Sequence, residues 1–181
     1  MLKKHYIMLA ASAFALSACL GSGDNNGNGG PNGPTDPRND TPVEGMPTSG
    51  SATYSGAISN IRGDGDMTLS GQMSMTANFA QGGGTISDSS LTITGTQGTL
   101  TQAGAHAFEG NDYENLPLLG TLTMDGESIV SGGNNQLLVG GTFSGEGATG
   151  VSANLGGSVM TEDGSMPITA GRGDLSQVQS Q

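Results

Sequence analysis

The sequence predicts an all-β chain: a single small antiparallel β-barrel of about eight strands that follows a disordered N-terminal tether. Three observations predict it. First, residues 67–79 alternate without a break, with Met67, Leu69, Gly71, Met73, Met75, Ala77 and Phe79 at odd positions and only Thr, Ser, Gln and Asn between them. Residues 151–159 do the same, with Val151, Ala153, Leu155, Gly157 and Val159 against Ser152, Asn154, Gly156 and Ser158. Period two places one face in a core and the other in water. Second, turn signals separate such runs: Arg62 to Asp66, Gly82-Gly83-Gly84, Asp125-Gly126, Gly132 to Asn135, and Asp163-Gly164. Third, no stretch of helical length shows a 3.6-residue period. Gly, Ser and Thr make up 71 of 181 residues, and large apolar side chains are too few for a helical bundle.

The elements follow in order. Residues 1–18 read as a lipoprotein signal peptide: Lys3 and Lys4, an apolar run from Tyr6 to Leu16, then Leu16-Ser17-Ala18-Cys19. The apolar run is about half the length that a membrane span needs. The tetrapeptide resembles the bacterial lipobox, which implies cleavage before Cys19 and lipidation of its thiol and amine, palmitate among the acyl groups. Leu20 stands where Asp would resemble an inner-membrane retention signal, so the outer membrane of a Gram-negative bacterium is expected. Residues 19–50 are the lipidated Cys and a linker that holds five of the seven prolines. It lacks the apolar surface to offset its ordering entropy. Its span is roughly 30 Å as a flexible coil.

The barrel is expected over 51–175 and a tail over 176–181. Its strands are expected near 51–59, 67–79, 84–88, 90–96, 98–108, 118–124, 136–144 and 149–160, with a terminal one near 166–172. An eight-stranded barrel is just filled by its own side chains, and methionine fills gaps where aromatics are scarce. The outward face is Thr, Ser, Gln and Asn without Trp, unlike the lipid-facing wall of a membrane pore.

Three stretches carry a resemblance. These are Ala52-Thr-Tyr54-Ser-Gly56; Met73 to Phe79 with Gly84-Thr-Ile86; and Gly141-Thr-Phe143-Ser-Gly145 with Gly156-Gly157-Ser-Val159 and Ile168 to Arg172. In order and spacing they resemble the barrel domain of transferrin-binding protein B and related surface lipoproteins. Val159 departs from the Phe common in that family, and there is one barrel without handle domains. The resemblance implies a cell-surface lipoprotein that binds a host or environmental protein or a small solute, iron- or haem-related ligands included. It also implies an outer-membrane receptor or translocon as partner. The alternative is a structural, periplasm-facing lipoprotein without a specific ligand.

Composition excludes several chemistries. The formal charge is −11, and removal of Lys3 and Lys4 leaves three Arg against sixteen acids. Nucleic acid is not an expected partner, since a phosphate backbone calls for a basic face. One Cys allows neither an internal disulfide nor a Cys-built zinc site. His106 is the single His after the signal and the acids lie scattered in turns, so no Ser-His-Asp set is singled out. An enzyme is not expected, and neither a metal site nor a required cofactor. His106 is read either as structural or as a haem ligand. The Asp112 to Pro117 segment is expected to be a loop with an exposed aromatic, which makes Tyr113, Glu114 and Asn115, with His106, the candidate binding residues. Arg62-Gly-Asp64 and Arg172-Gly-Asp174 match an adhesion tripeptide that a glycine-rich acidic chain produces easily.

Overall fold

A computed structural model describes residues 45–63 and 67–178. The signal peptide, Cys19, the tether up to residue 44 and the Asp64 to Asp66 turn lie outside these. Eleven strands are present: β1 (Ser51–Arg62), β2 (Thr68–Ala80), β3 (Gly83–Ile93), β4 (Leu100–Gln102), β5 (His106–Glu109), β6 (Asp112–Met124), β7 (Glu127–Ser131), β8 (Leu137–Ser144), β9 (Gly150–Thr161), β10 (Gly164–Ile168) and β11 (Ala170–Gln177). All named strand pairs are antiparallel, and β11 returns to pair with β1.

The eleven segments fill eight positions of one ring. β4 and β5 share a position between β3 and β6. β7 and β8 share one between β6 and β9. β10 and β11 share one beside β9. The expected number of strands is therefore the number of ring positions. Several boundaries differ from expectation: β7 is not among the expected strands, and β6 begins at Asp112 rather than near 118. The runs near 84–88 and 90–96 are one strand, because a bulge at Ser87 interrupts the alternation without ending the ladder. The run near 98–108 is two short strands. β11 extends through Gln177, two residues into the expected tail.

Hydrogen bonds outside the regular ladder hold the breaks, two through side chains and one through backbone. At the β7–β8 break the buried Ser131 hydroxyl donates to Leu118 O and accepts from Leu137 N. At the β4–β5 break Gln102 Nε2 donates to Ile86 O and Gly104 O, at 2.7 and 2.6 Å. At the β10–β11 break Thr169 N donates to Arg62 O. Each takes up a backbone group that the missing ladder would leave unpaired, which otherwise costs about 1–3 kcal/mol when buried.

The alternation sets the core in the expected phase. Met73, Met75, Ala77 and Phe79 of β2 and Val151, Ala153, Leu155 and Val159 of β9 all point inward and are buried. The five aromatics after the signal form one cluster around Phe143, whose ring centroid lies 5.7 Å from Tyr54, 5.5 Å from Phe79, 4.9 Å from Phe108 and 6.1 Å from Tyr113. The two tyrosines are tied at their polar ends: Tyr54 Oη donates to Ala148 O (2.6 Å) and Tyr113 Oη to Ser152 O (2.9 Å). Gly141 makes room for the second tie. A Cβ there would stand 1.9 Å from Ser152 O and 2.9 Å from the Tyr113 hydroxyl.

Burial raises the Tyr54 pKa from 10.0 to about 12, and burial raises that of Tyr113 as well. A raised pKa on a phenol favours the neutral form in the fold. This stabilisation is complete below pH 10 and is lost as pH climbs from there through about 12. Alkaline titration should show strand circular dichroism and tyrosinate absorbance changing together. Phenols that ionise near their ordinary value with the strand signal intact would contradict this.

Candidate functional site

Among the described residues, apolar side chains of all the long strands pack into the ring interior. An apolar void of about 20 Å³ lies among Ile61, Leu100, Leu122, Ile129, Val159 and Met166. That is near the minimum for one water and far below the volume of haem or a metabolite.

The expected loop at 112–117 is strand, which is a correction to the sequence reading. Tyr113 lies in β6, 1 % exposed, with its ring in the aromatic cluster. It cannot offer that ring to a partner outside. The alternation was hidden by a bulge: Tyr113 pairs with Gly141 and Leu116 with Val139, so two residues fit where one is regular. Those two are Glu114 and Asn115, both exposed, Asn115 at φ +56°. The bulge pushes them outward together.

The same bulge opens a seam. β5 and β6 pair only through Glu109 and Asp112. Across the gap His106 Nε2 lies 2.6 Å from Glu114 O. A carbonyl only accepts, so Nε2 carries the proton and donates, which leaves Nδ1 as the ring's other nitrogen. Three of the four predicted residues, His106, Glu114 and Asn115, are thus brought together. Haem ligation through Nε2 would break the seam contact. Among the described residues no group of three or more His, Cys, Asp or Glu is arranged to hold a metal ion.

Beside the bulge the wall is hollowed. Two adjoining depressions of about 390 and 310 Å³ share Glu114, Gly140 and Asn154. In the first, Asn115, Leu138 and Gly156 complete the outward surface. In the second, Asp112 Oδ1 accepts from Thr142 Oγ1 at 2.7 Å. The hollow exists because two outward positions carry no side chain. Gly140 pairs with Asn154 and Gly156 with Leu138, and all four face out. Sequence reasoning missed this part of the site. The signal was present: Gly156 falls in the wet phase of the 151–159 alternation, where Ser and Asn stand elsewhere. The second adhesion-like tripeptide, Arg172 to Asp174, is regular strand in β11 between β1 and β9.

No family model and no curated protein matches the chain. Among solved structures, one match is intact Ap-TbpB with its N and C lobes, at 15 % identity and a TM-score of 0.41 over 77 % of this chain. Another is Transferrin Binding Protein B of Haemophilus parasuis Hp5, at 13 % identity and a TM-score of 0.40 over 78 % of this chain. The chain is similar to these two TbpB structures. It spans 29 % of the length of each.

Proposed function

We propose that this chain is an outer-membrane lipoprotein, anchored through Cys19, that holds its ring at the cell surface and binds a protein or small solute on the outer wall around Glu114 and Asn115. One observation carries the reading: the chain's single Cys closes a lipobox-like tetrapeptide, and a Pro- and Gly-rich stretch separates it from the first strand. Such an order serves to hold a folded module away from lipid. The filled interior supports recognition by the wall rather than by an enclosed pocket. A binding role is favoured over catalysis because His106 is engaged with backbone and, among the described residues, no three of the His, Cys, Asp and Glu side chains cluster. Transferrin itself is not part of the proposal, since this is one ring spanning a minor part of the matched chains.

The test uses the tether. Mature residues include no Lys, so a broad-specificity protease is added to intact cells. Cleavage in the tether should release the ring into the medium. A ring that stays with the cells until they are lysed would instead support the structural, periplasm-facing alternative.

A further inference from the structure

The outer wall has two unlike sides. Over β1, β2 and β3 the outward residues include Thr53, Ser55, Gln72, Ser74, Thr76 and Thr92, a hydroxyl and amide surface. Over β6, β8 and β9 it is different. Pro117 pairs with Leu138, and Leu138 with Gly156, in one outward row. Pro117, Leu138 and neighbouring Leu119 are half-buried on the outside of a ring whose core is already filled. Further along, Val130 and Met160 face each other across β7 and β9, 38 % and 41 % exposed. The hollow adjoins the Leu138 row. Its Gly156 is not demanded by packing, because a Cβ there would meet nothing nearer than Ile168 O at 3.9 Å. A side chain would fit, and would fill the hollow.

Charge is sorted the same way. From residue 105 to 168 the chain carries Glu109, Asp112, Glu114, Asp125, Glu127, Glu146, Glu162 and Asp163, and neither Lys nor Arg. The two described cations, Arg62 and Arg172, lie on β1 and β11.

We propose that the β6–β8–β9 wall is a docking surface for a basic segment of another protein. Its apolar side chains would rest on Leu138 and Pro117, and its Lys or Arg groups would face Glu114 and Asp112. This rests on reading the chain as a binding module and narrows the partner class. Charge complementarity selects the occupant. A second copy would bring acidic rim against acidic rim, which like-charge repulsion penalises. The chain's own tether carries Asp24, Asp36, Asp40 and Glu44 against Arg38 alone, and is disfavoured for the same reason.

The experiment measures binding of the detergent-solubilised full chain to three synthetic peptides of about ten residues, the length of an extended recognition segment. They alternate Leu with Lys, Leu with Glu, and Ser with Lys. The Leu/Lys probe should bind at least about tenfold tighter than either other, a difference of about 1.4 kcal/mol. Leu138→Ser and Glu114→Gln should each weaken it, and Gly156→Leu should too by filling the hollow. Ser74→Asn, on the opposite wall, should leave it unchanged. Equal binding of the Leu/Glu probe, binding insensitive to Leu138→Ser, or no binding of any probe would overturn the proposal. So would a dimer in sedimentation that Leu138→Ser dissociates. If protease releases the ring from cells while no probe binds, only this inference falls and the surface-lipoprotein reading stands.

Discussion

Phe143→Ala is expected to lower stability by about 3–5 kcal/mol, the usual range for removing a fully buried phenylalanine. Phe143 is 0 % exposed and touches four other rings, so no single neighbour can collapse into the space. A domain of this size is stable by about 5–15 kcal/mol, so the loss is a large share of the whole. The melting midpoint should fall by on the order of 15 °C. Phe143→Leu separates two contributions: it keeps most of the apolar volume but loses the ring geometry, worth about 0.5–1.5 kcal/mol per aromatic pair. A double-mutant cycle with Phe108, the nearest ring at 4.9 Å, should show coupling in that range. A Phe143→Ala protein that melts within a few degrees of the parent would show that the cluster is not the centre of the core.

Cys19→Ser should have the largest effect in the cell. Each buried methylene contributes about 0.8 kcal/mol, so several acyl chains together hold a protein on a membrane almost permanently. Without the thiol there is no site for the thioether. Incorporation of labelled palmitate should vanish, and the chain should leave the outer-membrane fraction. The tyrosine titration of the purified ring should be unchanged, because the substitution lies far along the chain from the first strand. Retained palmitate label, or an unchanged outer-membrane fraction, would remove the anchor from the proposal.

The fold was legible wherever side chains kept phase. In β2 and β9 the alternation named Met73, Met75, Ala77, Phe79, Val151, Ala153, Leu155 and Val159 as buried correctly, while Met67 and Leu69 are only half-buried and Gly157 is exposed. It failed where the chain uses a bulge. At Ser87 one extra residue made a single strand read as two, and at Glu114 and Asn115, which together oppose Gly140 alone, one extra residue made strand read as loop. Both failures have one cause: a bulge shifts the phase without ending the hydrogen-bonded ladder, and periodicity alone cannot tell a shift from a stop. Tyr113 was misplaced for this reason. The site was half legible. His106, Glu114 and Asn115 were chosen for their chemistry, and the bulge gathers them. Gly140, Gly156 and Leu138 were not chosen, since a missing side chain on the outer wall becomes a feature only when its neighbours in other strands are known.

The pairing of β1 with β11 has a kinetic consequence. Ser55 lies opposite Ser176, 121 residues later in the chain. Every other ring contact joins segments closer in sequence, and local contacts form sooner. As the chain is synthesised the N-terminal strands emerge first and their pairing partner arrives last. Until then β1 presents a row of open backbone groups, the kind of edge on which other chains add. The C-terminal residues thus act as a clasp. A chain truncated before Ala170 would keep most of its core residues and yet be left with two free edges, prone to aggregate rather than to unfold cleanly.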